Sequence, residues 1–173
     1  MELRTLITQD RLDGLLRCAK MVPKGLWAEC GVYKGGSLKW LAHHFPDQKI
    51  IGYDTFEGLP EEQWNEKEIH KAGEFNDTSF EGVSEYLNKY KNVTVIKGLF
   101  PQTAVTTNYS FVHVDFDFYE GIKACLDFFY PKLVDGGIMV FDDYGWPNCP
   151  GVAEALKDYK VIPTADYQVA LIK

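Results

Sequence analysis

Leu26-Trp-Ala-Glu-Cys-Gly-Val-Tyr-Lys-Gly-Gly-Ser37 decides how the rest of the chain is read. A short apolar run ends in Glu29, breaks at Gly31, turns through Gly35 and Gly36, and restarts from Ser37 as Leu38-Lys39-Trp40-Leu41-Ala42. Such a pattern is a buried strand feeding a helix through a glycine turn, where freedom at φ > 0 lets a ligand approach the backbone. Ser37 is expected to cap that helix, whose first N–H groups have no intrahelical partner. The spacing Gly31-x-x-x-Gly35-Gly36 is not the dinucleotide fingerprint, and no Lys-Ser/Thr follows as in a phosphate-binding P-loop. Glu29 would repel a pyrophosphate but suits a positively charged nucleoside. An ordinary tight strand-to-helix turn accounts for the stretch equally well.

Outward from this turn, strands and helices alternate. Leu12, Leu15, Leu16 and Ala19 share one face of a helix expected over Thr8 to Met21, stopped by Pro23 and Gly25. Lys49 to Asp54 reads as a second strand, and Val93 to Lys97 as a third. Between them, Thr55 to Asp77 is polar and aperiodic, the mark of a lid or binding loop. Thr78 to Glu81 has the form of a capping box opening the next helix. Ser110 to Phe116, a helix over Tyr119 to Tyr130, Ile138 to Phe141, a helix over Gly151 to Tyr159 and a closing hairpin complete the chain. The alternation implies a mainly parallel sheet covered on both faces, with ligands at the carboxyl ends of the strands.

The 173 residues suffice for a single α/β domain spanning 1–173, and a 46% hydrophobic content implies a packed core. A net charge of −7 without a basic cluster argues against nucleic acid as a partner. Glu61, Glu62, Glu66 and Glu68 read as a solvated acidic loop. Cys18, Cys30, Cys125 and Cys149 form no C-x-x-C pair, and neither a signal peptide nor a membrane span is visible. A cytoplasmic protein with no membrane partner is expected, with a homodimer left open.

Asp115 and Asp117 end one strand, and Asp142 and Asp143 end another. Carboxylates crowded on one rim repel unless a cation joins them, and all-oxygen ligands favour a hard ion such as Mg²⁺. The alternative is that such acids cap the next helix or turn, the role assigned to Asp117.

Glu29 to Ser37, Asp54-Thr-Phe-Glu-Gly-Leu-Pro60, His113-Val-Asp-Phe-Asp-Phe-Tyr119, Asp142-Asp-Tyr-Gly145 and Cys149-Pro-Gly-Val-Ala-Glu154 occur in that order. Together they resemble the macrocin O-methyltransferase family over roughly residues 25 to 160. The resemblance implies a Rossmann-like class I methyltransferase fold with seven strands, the last antiparallel. It also implies S-adenosylmethionine (SAM) as cofactor, a sugar-like hydroxyl acceptor, and Mg²⁺ at Asp115, Asp142 and Asp143.

On that basis Asp115 doubles as proton acceptor, and His70 in the long loop is a second candidate base, with a solvated loop histidine as the alternative. Asp54 is expected on the ribose hydroxyls. Glu29, Gly31 and Gly35 are expected around the methionine end, and Gly98 and Phe100 by the adenine. Tyr33, Ser37, Thr55, Phe56 and Asp115 complete the expected cofactor set. His113, alternating with Asp115, either orients an acid or is a structural core histidine. A nicotinamide oxidoreductase would share the sheet but lacks its fingerprint here, and a non-catalytic nucleoside-binding module would not need the rim acids.

Overall fold

A computed structural model describes residues 3–173. One sheet holds β1 (Leu26–Cys30), β2 (Ile50–Asp54), β3 (Val93–Lys97), β4 (Tyr109–Val114), β5 (Leu133–Phe141), β6 (Ile162–Ala165) and β7 (Gln168–Ile172), in the order β3-β2-β1-β4-β5-β7-β6. The first five pair in parallel. β7 runs antiparallel between β5 and β6, so the expected antiparallel last strand is present.

Side-chain alternation along β1 explains the layering. Ala28 and Cys30 face a core with α4 (Tyr119–Phe129) and α5 (Pro150–Ala155). Trp27 faces the other, with α1 (Gln9–Ala19), α2 (Gly36–His44) and α3 (Phe80–Leu87). Strands buried on both faces read as near-continuous apolar runs, which is why β4 is buried throughout. Chain order reverses between β1 and β4, and a crevice opens there at the strands' carboxyl ends.

Several local expectations are corrected. Ser37 is not the cap of α2: Gly35, at φ 81°, is the N-cap, and the Ser37 hydroxyl turns inward. The cap of α3 is Ser79, accepting from Gly82 N–H, while the neighbouring Thr78 hydroxyl donates to the Tyr33 carbonyl. β5 begins at Leu133, ahead of Gly136 and Gly137, and α5 ends at Ala155.

The long segment after β2 is anchored. Leu59 N–H donates to Glu74 O and Gly73 N–H to Leu59 O, both at 2.8 Å, closing the loop on itself. Gln63 reaches the Phe100 carbonyl. Glu68, expected in solvent, is buried, and its carboxylate accepts the free N–H of Tyr119 at the start of α4 (2.8 Å). A negative group there also suits the positive end of the helix dipole. Among the described residues, no helix is long and apolar enough to cross a membrane.

Candidate active site

The crevice has two lobes that share Gly31, Tyr33, Phe75, Asp115 and Asp117 as walls. The first, about 70 Å³, lies over the ends of β2 and β3 and is lined by Asp54, Thr55, Gly98 and Phe100. The second, about 300 Å³, lies over α1 and β5 and is lined by Arg11, Ser37, His70, Asp143 and Cys149, with residues 4–7 crossing it.

Asp54 organises the first lobe through the backbone. Its Oδ2 accepts from Val32 N–H (2.8 Å) and Tyr33 N–H (2.7 Å), and its Oδ1 from Phe56 N–H (2.7 Å). Burial pushes the Asp54 carboxyl up, while the three amides pull it back. Gly31, at φ 88°, is held close to the end of β4: a Cβ there would lie 2.1 Å from the Asp115 carbonyl oxygen. The close approach that requires glycine is therefore made by the chain itself.

Side-chain charge organises the second lobe. Glu29 on β1 is the register partner of His113 on β4, which brings both side chains to one face. His113 lies between two acids, Nδ1 to Glu29 Oε2 at 2.9 Å and Nε2 to Asp142 Oδ2 at 2.7 Å. Burial alone would lower its pKa, but the bonds to Asp142 and Glu29 win and hold it well above the usual value. An imidazolium donates from both nitrogens, as this geometry needs. Ser37 donates to the other Glu29 oxygen (3.0 Å). Gln168 Nε2 donates to Asp142 Oδ1 (3.1 Å), and Arg11 Nη1 bridges Asp142 Oδ1 (3.2 Å) and Asp143 Oδ1 (2.9 Å).

The Asp115 side chain, at the junction of the lobes, has no hydrogen-bond partner among the described residues, whereas its backbone N–H donates to the Cys30 carbonyl (2.8 Å). Burial, then the charges of Asp142 and Asp143, push its carboxyl well above the usual range. Asp117 is pushed up to about 6 by burial and Asp143, and it accepts from the Cys149 thiol (3.4 Å). It faces the cleft and does not cap α4, whose first N–H belongs to Glu68. His70 reaches the second lobe with Nδ1 tied to Glu74 Oε2 (2.5 Å), and a ring nitrogen lies within 4.8 Å of Asp117 and Cys149.

The structure thus brings Gly31, Tyr33, Ser37, Asp54, Thr55, His70, Gly98, Phe100, Asp115 and Asp143 to the cleft, and leaves out Glu29, Gly35, Phe56 and Asp142. Glu29 is fully buried, and its two oxygens serve His113 and Ser37. Phe56 turns into the core against Phe80, and Gly35 lies against Val83 and Leu87. Asp142 is buried beneath Arg11. Phe100 is already stacked on Phe129 (5.2 Å, 14° between planes), so its face is not free for a base. Arg11 and Gln168 had no local signal, since Arg11 meets its acids 131 and 132 residues away.

A parallel sheet with one antiparallel seventh strand, and a two-lobed cleft at its switch point, define a class I methyltransferase fold. The solved O-methyltransferase NovP superposes with a TM-score of 0.83 over 98% of this chain and 81% of its own, at 24% identity. The family model for macrocin O-methyltransferase (TylF) matches residues 3–170, and the chain belongs to this family of SAM-dependent O-methyltransferases. Among curated relatives, it is 28% identical to the 8-demethyl-8-(2,3-dimethoxy-alpha-L-rhamnosyl)-tetracenomycin-C 4'-O-methyltransferase of Streptomyces olivaceus. It is 26% identical to the demethyldecarbamoylnovobiocin O-methyltransferase of Streptomyces niveus. Each match covers 90% of this chain and 67% of the relative.

Proposed function

We propose that the cleft holds SAM, with its ribose over the first lobe, and in the second lobe an acceptor bearing neighbouring hydroxyls, a sugar or a glycosylated natural product, one oxygen of which is methylated. The observation that carries this is Asp115, a half-buried carboxylate with no side-chain hydrogen bond, at the wall common to both lobes. The acceptors named for the relatives, a rhamnosyl tetracenomycin and a novobiocin precursor, support a glycoside acceptor.

In this reading Asp54 meets the ribose hydroxyls, and the turn it fixes at Val32 and Tyr33 positions the sulfonium. Methyl transfer is an in-line displacement, so this positioning supplies much of the rate. Asp115 receives the hydroxyl proton, a task its place on the wall between cofactor and acceptor gives it. His70, oriented through Nδ1 by Glu74, presents its other nitrogen to the second lobe as a further proton acceptor.

A divalent ion such as Mg²⁺ fits the rim by its donor set. The donors are all oxygen, and Asp115, Asp117, Asp142 and Asp143 outnumber the neighbouring cations His113 and Arg11. Asp115, Asp142 and Asp143 would hold it. When bound, such an ion acidifies a coordinated hydroxyl and fixes its direction.

The test is transfer of labelled methyl from SAM to paired acceptors, a vicinal diol sugar and its mono-deoxy analogue. The diol should react at least tenfold faster, about 1.4 kcal/mol in barrier. Equal rates on both members, or transfer only to amines or carboxylates, would refute the proposal.

A further inference from the structure

We infer that Arg11 is a built-in counter-ion at the rim, occupying with its guanidinium the place a divalent ion would share between Asp142 and Asp143, and displaced when such an ion binds. The inference rests on the divalent-ion reading above and concerns what that ion must compete with. A single nitrogen, Nη1, lies 3.2 Å from Asp142 Oδ1 and 2.9 Å from Asp143 Oδ1, as a shared monatomic cation would lie between two carboxylates. Asp142 has no other oxygen to offer, because Oδ2 belongs to His113 at 2.7 Å. An ion taking Asp142 Oδ1 therefore meets a guanidinium already there, and like charges in a half-buried site repel strongly.

The surroundings show why a counter-ion is held at this point and how it can leave. Without one, Asp115, Asp142 and Asp143 would crowd together with only His113 to balance them. Gln168 Nε2 donates both to Asp142 Oδ1 and to the Arg11 carbonyl (3.2 Å), which fixes the α1 backbone beside the acid whatever the guanidinium does. The Arg11 side chain retains 13% exposure and borders the second lobe, so it can swing into the lobe without disturbing its helix. The geometry makes Arg11 a determinant of metal affinity while it ligates nothing itself.

The test is a calorimetric titration of MgCl₂ into wild type, Arg11→Met and Asp115→Asn. Methionine keeps the stem's bulk and removes the charge. Arg11→Met should bind at least tenfold more tightly than wild type, and Asp115→Asn at least tenfold more weakly. Arg11→Met binding no tighter than wild type would overturn the inference. No binding by wild type and Arg11→Met alike would instead overturn the divalent-ion reading beneath it. Should Arg11→Met fail to fold, phenylglyoxal labelling of the wild type followed by peptide mass spectrometry supplies the answer. Adding MgCl₂ should raise modification of Arg11 at least threefold, with exposed Arg17 as the unchanged reference. Unchanged labelling of Arg11 would refute displacement.

Discussion

Asp54 ends one parallel strand and Asp115 follows another, and both stand on the wall of the first lobe, yet the protein treats them in opposite ways. Asp54 receives three backbone N–H groups and is a structural staple for the turn that precedes α2. Asp115 receives none, and the repelling charges of Asp142 and Asp143 outweigh the attraction of His113. A half-buried carboxylate without hydrogen bonds is a strain the fold would be more stable without. The difference teaches that the two lobes are built on different principles. One is shaped by backbone geometry, and the other by side-chain charge poised for a ligand that brings positive charge or a proton.

The largest expected effect comes from breaking the charged lobe at its centre. His113→Leu leaves Glu29 and Asp142 buried without their shared partner. Removing one member of a buried ion network costs about 3–5 kcal/mol, so urea unfolding should detect the loss readily. A cost near zero would mean that the imidazolium does not hold these acids.

A smaller effect is expected on the backbone-built side. In Asp54→Asn one of the facing amides meets a donor instead of an acceptor, and charge-assisted bonds are lost to neutral ones. Stability should fall by about 2 kcal/mol, the scale of a hydrogen bond to a charged group, and calorimetry should show SAM affinity falling with it. Unchanged stability alongside lost SAM affinity would make Asp54 a ligand-binding acid only, and the contrast with Asp115 would lose its physical basis.

The frame of this contrast was legible in the chain. β3 was read to the residue, α4 from its first, and the antiparallel last strand was implied by the family resemblance. Apolar periodicity and glycine turns carry that information locally. What stayed hidden was which acids are free. Glu29 looked like a cleft residue because it precedes the turn, but pleat alternation and β1–β4 register turn it onto His113. Glu68 looked solvated among other acids, although it closes the start of α4, 51 residues away. Thr78 and Ser79 are adjacent hydroxyls with equal capping chemistry, and only the tertiary bond from Thr78 to Tyr33 decides between them. Arg11 lies on the polar side of an unremarkable amphipathic helix, and only folding brings it to the rim. Local patterns set the elements, whereas the pairing of charges is decided by contacts over long separations.

The smallest expected change in stability is the most informative one. Asp115→Asn removes a charge that nothing in the fold hydrogen-bonds and keeps the side chain's shape. Measured together by urea unfolding in EDTA and by methyl transfer from labelled SAM, the variant should be as stable as wild type, or up to about 1 kcal/mol more stable, while turnover is lost, as expected where function retains a destabilising group. A variant that loses stability as Asp54→Asn does, or that keeps turning over, would contradict the assignment of Asp115 to chemistry.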